Sequence, residues 1–425
     1  MLDIKYIREN LDEVRKATKN KNREVDLDWL LELDGKRRKL MGEIEKLRGK
    51  RNINSKSEIR NPKQNSKLQF TIQKDEGKKL KEDIKKLEDE LSTIKKEYDG
   101  LMLFVPNVPD ESVPVGKDSS GNIEIRKWGP VPKRDFTPLD HIALAKKHDL
   151  IDFERGAKVA GSRSYFLKNE AALLELAVLT YTFQKLVKKG YIPLIAPSLV
   201  KEFTMIGSGQ IPWSREEIYH LEKQDIYLSG TAEVPVTAYY SGEILFEKDL
   251  PKKFVAFSPC FRREAGSYGR DTKGLYRVHQ FNKVEQVIIK NNDYQTSLDL
   301  HEELLANAEE VLQDLKLPYR VMLMCTGDMG EPQVKKYDIE TWMPSRNSYG
   351  ETMSNSFMGD FQARRLNIRY KAKDGKTYFC HTLNNTAVAS PRILIAILEN
   401  YQQKDGSIII PEVLRAFVGK EVIGL

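Results

Sequence analysis

The sequence predicts an α+β protein in which helices flank an antiparallel sheet and an antiparallel helical hairpin precedes that sheet. Three patterns support this fold class. An apolar heptad runs through residues 78–101, strand-forming residues dominate 254–261 and 278–289, and residues 171–189 carry apolar side chains at helical spacing. The chain of 425 residues exceeds the size of one simple core, so two domains are expected.

The first part of the chain predicts the helical hairpin. One seam follows the 3.5-residue period of a coiled coil and consists of Leu80, Ile84, Leu87, Leu91, Ile94, Tyr98 and Leu101. An earlier seam, which Arg37 interrupts, consists of Leu30, Leu33, Leu40, Ile44 and Leu47. Residues 52–66 are rich in Asn, Ser and Lys, so we interpret them as the turn between two helices.

Positive charge is concentrated in this predicted arm. Residues 36–98 contain 20 Lys and Arg but 11 Asp and Glu, a net charge of +9, whereas the whole chain carries +7. A solvated dimerisation coiled coil is one interpretation of a charged heptad. The basic excess favours an arm that binds nucleic acid through phosphate and backbone contacts, with little sequence discrimination.

Other features of the sequence exclude several classes of protein. The chain begins with charged residues and lacks the apolar segment of a signal peptide, and no apolar run reaches the roughly 18 residues that a membrane helix needs. Cys260, Cys325 and Cys380 match neither a zinc site nor a disulfide framework. We therefore expect a cytoplasmic protein without a membrane partner.

The segment from 261 to 285 carries the strongest chemical signal. It joins two predicted strands through a long Gly-rich loop, and loops of this length are more often functional than decorative. The fork of Arg262 suits a phosphate, the carboxylate of Glu264 can accept from an exocyclic amine, and Phe281 offers a flat face to a base. The alternative is an ordinary charged hairpin. The combination favours a nucleotide bound on the face of a sheet.

This segment resembles the second signature motif of class II aminoacyl-tRNA synthetases, and within that class it most resembles seryl-tRNA synthetases. Residues 171–197 resemble the first motif, which forms the dimer interface in that family, and residues 390–402 resemble the third. In the third motif Pro391 stands where the family more often has glycine. We predict that a helix begins at Arg392, with Ser390 as its N-cap.

The resemblance implies a serine site, an ATP site and a Mg²⁺ site. The implied serine contacts are Thr231, Ala232, Glu233, Arg262, Glu285 and Thr386. The implied ATP contacts are Arg262, Arg263, Glu264, Val278, Phe281, Glu351, Thr352, Met353, Ser354 and Arg392. Glu351 and Ser354 are the implied Mg²⁺ ligands, and Met353 departs from the serine that is usual there. Arg262 and Arg392 are the implied catalytic residues.

The function implied by the resemblance is ATP-dependent activation of L-serine, followed by its transfer to tRNA(Ser); whether tRNA(Sec) is also charged is left open. Residues 1–103 would form a tRNA-binding arm, 104–138 an extended linker and 139–425 the catalytic domain of a homodimer that does not bind DNA. Two alternatives are a paralogue that charges a different carrier and a non-catalytic tRNA-binding paralogue. The basic arm weighs against a paralogue that charges a different carrier. The charged residues retained in the motifs weigh against a non-catalytic paralogue.

Overall fold

The computed structural model describes residues 1–60, 67–265 and 273–424. The chain forms two compact units. One comprises Asp3–Thr18 and Arg23–Val105, and the other comprises Met1–Leu2, Lys19–Asn22 and Pro106–Leu425. The domain boundaries predicted after residues 103 and 138 stay a prediction.

Helices occur in both units. In chain order they are α1 (Ile4–Glu9), α2 (Leu11–Asn20), α3 (Leu27–Arg60), α4 (Lys67–Phe104), α5 (His141–Lys147), α6 (Phe153–Ala160), α7 (Asn169–Lys188), α8 (Glu202–Ser208), α9 (Glu233–Thr237), α10 (Tyr294–Asp314), α11 (Phe361–Leu366), α12 (Arg392–Tyr401) and α13 (Arg415–Val418). Over the part of the chain that is described, none of them combines the length and apolar character needed to span a bilayer.

The predicted helical hairpin corresponds to α3 and α4, which pack against each other. Leu30 and Leu33 of α3 and Ile84 of α4 are buried, as expected for the apolar seams. The predicted turn is wrong at its start, because α3 continues through Asn52 to Arg60. Asn and Ser lower helix propensity only slightly, so they do not end a helix by themselves. Residues 61–66, the rest of the predicted turn, lie outside the described residues.

Among the residues described, eight strands form the main sheet of the larger unit. In chain order they are β1 (Ile123–Trp128), β2 (Ile192–Ile195), β3 (Lys252–Phe261), β4 (Gln280–Lys290), β5 (Tyr319–Leu323), β6 (Lys335–Met343), β7 (Ser348–Gly359) and β8 (His381–Ala389). Their order across the sheet is β1-β5-β6-β7-β8-β4-β3-β2. Neighbours are antiparallel except at one edge, where β2 runs parallel to β3.

Shorter strands make small sheets around the main one. Two small sheets have two strands each: Ile151–Asp152 pairs with Phe166–Leu167, and Ile408–Ile409 pairs with Val422–Ile423. In a three-stranded sheet, Ile226–Leu228 lies between Leu199–Val200 and Tyr219–Leu221. In another, Arg369–Lys371 lies between Ile244–Phe246 and Thr377–Phe379.

The antiparallel pairing of β3 and β4 confirms the hairpin predicted between 254 and 289. Residues 266–272 of its predicted loop lie outside the described residues. The predicted linker contains a strand, because β1 pairs with β5 at the edge of the main sheet.

The two faces of the main sheet have separate apolar cores. Successive residues of a strand point to opposite faces. On β4, Val284 and Ile288 therefore join one cluster with side chains of α7, α10 and α12, whereas Val287 and Ile289 join a second with side chains of α9 and α11. Each fully buried aliphatic side chain of this kind contributes about 1.5–3 kcal/mol to stability. Phe281, Lys283 and Glu285 alternate in step with Val287 and Ile289 on β4, so their side chains belong to the second face, which carries the candidate active site described below.

The helix predicted over 171–189 is α7, and Gly190 follows it with a φ of 90°, a left-handed conformation that suits glycine after a helix. The apolar stripe predicted from the helical spacing consists of Leu173, Leu176, Leu179, Phe183 and Leu186. It is only partly buried, because Leu179 and Leu186 are buried while Leu173 and Leu176 are exposed. The buried face of α7 therefore includes only part of the predicted stripe, together with Leu174 and Val178.

Candidate active site

A cavity of about 550 Å³ lies against the main sheet of the larger unit. This volume is in the range of pockets that hold a small-molecule ligand. Most of the site residues predicted from the sequence line the cavity: Thr231, Arg262, Glu264, Val278, Phe281, Glu351, Thr352, Met353, Ser354, Thr386 and Arg392. The others predicted for the site do not belong to its lining: Ala232, Glu233, Arg263 and Glu285.

Four buried polar side chains form a cluster against the cavity, which we call the polar cluster: Thr231, Lys283, Glu285 and Thr386. Lys283 Nζ lies 2.5 Å from Glu285 Oε2 and donates to the hydroxyls of Thr231 at 2.7 Å and Thr386 at 3.3 Å. The two hydroxyls lie 3.5 and 3.3 Å from the same Glu285 oxygen. Such a buried ion pair is held only when further hydrogen bonds satisfy its atoms, and the threonines supply them.

The strands explain why these residues meet. Lys283 and Glu285 are two positions apart on β4, so they share one face of the sheet. Thr386 of β8 is the cross-strand partner of Glu285, and the register of the two strands shifts between Val284 and Glu285. A local shift of this kind re-aims side chains at the edge of a site.

Glu233 lies behind the polar cluster as the first residue of α9. It is buried, its N–H donates to the hydroxyl of Thr231 at 3.1 Å, and its Oε1 accepts from Gln362 Nε2 at 2.7 Å. Burial and the neighbouring carboxylate of Glu285 raise the pKa of Glu233 to about 7. The side chain of Ala232, between Thr231 and Glu233, is fully buried in the apolar cluster on this face.

Arg262 extends from the end of β3 along the rim of the cavity. Its guanidinium carbon lies 5.4 Å from the centre of the Phe281 ring, and its Nε lies 3.4 Å from the carbonyl oxygen of Gly230. The residue is exposed, so its planar fork faces the cavity together with the ring. An arginine fork beside an aromatic face suits a phosphate and a base of one ligand.

The two residues after Arg262 have different surroundings. Glu264 has a φ of 51°, and its Oε2 accepts from Arg277 Nη1 at 3.0 Å. Arg163 Nη1 donates to the carbonyl oxygen of Glu264 at 2.8 Å, which holds the backbone in this uncommon conformation. Arg263 is exposed, and its N–H donates to the carbonyl of Glu217 at 2.9 Å.

Arg392 lies at the opposite side of the cavity as the first residue of α12. Its Nη1 donates to the carbonyl and carboxylate of Glu351, at 2.9 and 3.2 Å, and its guanidinium carbon lies 4.6 Å from the centre of the Tyr276 ring. Desolvation opposes ionisation of Glu351, but Arg392 and Lys336 outweigh it and hold the pKa of Glu351 below its ordinary value. The guanidinium groups of Arg262 and Arg392 therefore both face this cavity.

The predicted N-cap of α12 is wrong. The helix does begin at Arg392, but Pro391 occupies the cap position and no side chain caps the helix. The hydroxyl of Ser390 contacts the carboxylate of Glu175 and accepts from the N–H of Asn282 at 3.2 Å. The hydroxyl donates its proton to Glu175 while its oxygen accepts from Asn282, so both roles are engaged away from the helix end.

The residues present fit a Mg²⁺ ion. Mg²⁺ prefers oxygen ligands, keeps several waters and needs few protein groups. The carboxylate of Glu351 and the hydroxyl of Ser354 line the cavity and supply such oxygens. Over the described residues no group of three or more His, Cys, Asp or Glu is placed to hold a metal ion.

Thr352 and Met353, between those two residues, have buried side chains. The hydroxyl of Thr352 lies 2.7 Å from that of Thr341, and Met353 belongs to the apolar core. Their side chains therefore point to neighbouring strands and to the core, which favours contact with a ligand through the backbone.

The chain matches two family models. Residues 1–109 match the seryl-tRNA synthetase N-terminal domain, and residues 217–401 match the tRNA synthetase class II core domain (G, H, P, S and T). A serine–tRNA ligase of Deinococcus radiodurans is 49% identical over 426 residues, which cover 100% of this chain and 99% of the relative. The chain belongs to the seryl-tRNA synthetase family.

Solved structures of seryl-tRNA synthetases have the same fold. The enzyme of Pyrococcus horikoshii complexed with ATP is 39% identical with a TM-score of 0.91, over 100% of this chain and 99% of that one. The cytoplasmic serine–tRNA ligase of Naegleria fowleri in complex with AMP is 31% identical with a TM-score of 0.86, over the same shares. The predicted fold class is thereby confirmed.

Among the residues of this seryl-tRNA synthetase site that sequence reasoning missed are Lys283 and Tyr276, which line the cavity, and Gln362, which lies behind it. Lys283 could have been found, because it lies two positions before Glu285 in a predicted strand and so shares its face. Gln362 is 129 positions from Glu233, and the ring and the carbonyl of Tyr276 contact Arg392, which is 116 positions away. No local pattern signals such contacts.

Proposed function

We propose that this member of the seryl-tRNA synthetase family activates L-serine with ATP and transfers the seryl group to the 3′ end of tRNA(Ser). The single observation that carries the proposal is that the polar cluster lies beside the guanidinium groups of Arg262 and Arg392 in one cavity. The polar cluster offers hydrogen-bond partners to a small amino acid that carries a hydroxyl group. The guanidinium groups of Arg262 and Arg392 offer positive charge to a triphosphate. The names of the relatives, and ATP in the Pyrococcus horikoshii structure, support the same activity.

Serine recognition follows from the polar cluster. We propose that the serine hydroxyl binds between Glu285 and Thr386, whose side chains face each other across β4 and β8. Thr231 and Glu233 supply acceptors for the α-ammonium group. Alanine lacks the hydroxyl and would leave buried polar groups unpaired, so this pocket favours serine.

ATP binding follows from the cavity rim. We propose that Phe281 stacks on adenine, that Glu264 accepts from its exocyclic amine, and that Arg262 binds the α-phosphate and the serine carboxylate. Arg392 binds the terminal phosphate at the start of α12, where backbone N–H groups add positive potential. When bound, Mg²⁺ held by Glu351 and Ser354 supplies neutralisation of the phosphate charge.

The reaction needs no nucleophile from the protein. A serine carboxylate oxygen attacks the α-phosphorus, the bond to the bridging oxygen breaks, and pyrophosphate leaves with that electron pair. A ribose hydroxyl of the tRNA then attacks the seryl carbonyl; the hydroxyl loses its proton and AMP leaves. Arg262 and Arg392 act by orienting the reactants and by stabilising the charge that develops on phosphate oxygens.

Two further proposals concern partners. We propose that the basic unit of α3 and α4 binds the tRNA backbone, supported by the net charge of +9 over residues 36–98. We also propose a homodimer formed through α7 and β2. Leu176 is 63% exposed and Ile195 is 76% exposed, and clustered exposed apolar side chains are typical of interfaces.

Serine-dependent exchange of pyrophosphate into ATP tests the activity. Arg262→Ala should lose this exchange while unfolding like wild type, because Arg262 is exposed and contributes little to packing. The matched control is Arg263→Ala, whose side chain is exposed outside the cavity. Wild-type exchange in Arg262→Ala, or exchange with another amino acid in preference to serine, contradicts the proposal.

A second assay tests the arm. Deletion of residues 36–98 should abolish charging of purified tRNA(Ser) and leave pyrophosphate exchange largely intact. Equal loss of both activities contradicts the tRNA-binding role, and charging of a carrier other than tRNA contradicts the proposed acceptor.

A further inference from the structure

We propose that Gln362 is a positioning residue for serine binding: it aims a fixed N–H at the carboxylate of Glu233 and so sets the pH range in which serine binds. This inference rests on the proposed function and adds a residue that lies outside the cavity lining. It is carried by a buried set of hydrogen bonds that joins α8, α9, α11 and β8.

Both polar atoms of the Gln362 side chain have partners. Its Nε2 donates to Glu233 Oε1 at 2.7 Å and to the carbonyl oxygen of Ser208 at 2.9 Å. Its Oε1 accepts from the hydroxyl of Thr382 at 2.6 Å. Gln362 and Thr382 are fully buried and Ser208 is nearly so, so water does not compete for these bonds.

The carbonyl of Ser208 determines which way the Gln362 amide points. A carbonyl oxygen can only accept, so the amide nitrogen must face it. A flipped amide would set two acceptors, its own oxygen and that of Ser208, against each other. The second N–H is therefore directed at Glu233 whatever the charge of that carboxyl group.

The charge of Glu233 depends on a close balance. Burial and the carboxylate of Glu285 raise the pKa of Glu233 to about 7, while Gln362, Lys283 and Arg262 oppose that rise. Gln362 is the member of this set that hydrogen-bonds Glu233 directly through its side chain. A donor to the ionised form favours ionisation, so it keeps the carboxylate available near neutral pH.

This balance has a kinetic consequence. The serine ammonium group requires an ionised Glu233, so kcat/KM for serine should rise with pH through about 7. Loss of the Gln362 donor should move this rise upward by about one to two pH units, the equivalent of one hydrogen bond to a charged group. The KM for ATP should stay close to the wild-type value, because Gln362 does not line the cavity.

The test measures serine-dependent pyrophosphate exchange between pH 5.5 and 9 at saturating ATP, in wild type, Gln362→Met and Thr382→Val. Methionine keeps the shape of glutamine but has no N–H. Thr382→Val removes the hydroxyl that donates to Gln362 Oε1 in the same buried site. The carbonyl of Ser208 still holds the Gln362 amide with its N–H facing Glu233. An upward displacement in Gln362→Met alone supports the proposal. An unchanged profile in Gln362→Met, or an equal displacement in Thr382→Val, overturns it.

Gln362→Glu keeps the test open if Gln362→Met does not fold. A second carboxyl beside Glu233 should displace the rise upward, and an unmoved profile overturns the proposal. A wild-type protein without serine-dependent exchange refutes the proposed function itself, whereas normal exchange with an unmoved profile in the variants refutes only the role of Gln362.

Discussion

Glu233→Gln should make the protein more stable and less active. Burial, followed by the neighbouring Glu285, raises the pKa of Glu233 to about 7 from an ordinary value of 4.5. The folded protein then holds this proton more tightly than the unfolded chain, so the stability from this group is full below pH 4.5. It is lost as pH rises from 4.5 to about 7.

The expected magnitude follows from that interval. At about 1.4 kcal/mol per pH unit, ionised Glu233 costs about 3 kcal/mol of unfolding free energy at pH 8. Glutamine has the same shape, keeps an oxygen for Gln362 and does not ionise. We therefore expect Glu233→Gln to exceed wild type by about 3 kcal/mol at pH 8 and by less than about 1 kcal/mol at pH 5. Serine activation should fall, because the ammonium group loses an anionic acceptor.

Urea denaturation at pH 5, 6.5 and 8, at one protein concentration, measures this difference. The control is Glu216→Gln, the same change at an exposed position, which should alter the free energy of unfolding by less than about 0.5 kcal/mol. A stability difference between Glu233→Gln and wild type that does not grow with pH refutes the reasoning. So does a variant that is less stable than wild type at pH 8.

Two further predictions concern buried polar contacts. Lys283→Met leaves Glu285 buried without its cation, so it should lower the free energy of unfolding by about 3–5 kcal/mol and abolish serine activation. The control Lys253→Met breaks a half-buried ion pair with Glu303 and should lower the free energy of unfolding by about 1 kcal/mol or less. Equal losses of the two variants in urea denaturation would contradict this prediction. Gln286→Leu removes buried bonds at 2.8 Å to Asn307 and Asn385 and should cost about 2–4 kcal/mol, and a change below about 0.5 kcal/mol would contradict that expectation.

Local patterns predicted the secondary structure around the site well. The strand-forming residues of 278–289 and 254–261 correspond to β4 and β3, and the helix before Gly190 corresponds to α7. These predictions succeed because side-chain period and turn chemistry act between near neighbours in the chain. The same patterns do not determine which face is buried, and Leu176 is exposed although its spacing indicated a buried stripe.

Two predictions about helix ends were also wrong, the N-cap of α12 and the start of the turn after α3. Ser390 has the side chain of an N-cap, but the carboxylate of Glu175 from another helix draws its hydroxyl away. Residues 52–66 have the composition of a turn, but α3 continues to Arg60. In both cases a weak local preference was overcome by a stronger partner or by continued helical hydrogen bonding.

The sequence by itself determined the class of fold, the order of the motifs, the basic arm and 11 of the 24 residues that line the cavity. Tertiary structure decided how those residues work together. Lys283 and Thr386 meet across two strands at 3.3 Å, and Gln362 reaches Glu233 from 129 positions away. The charge on Glu233 is set by burial and by neighbours from other elements. Such contacts depend on packing between distant segments, and packing is a property of the folded chain.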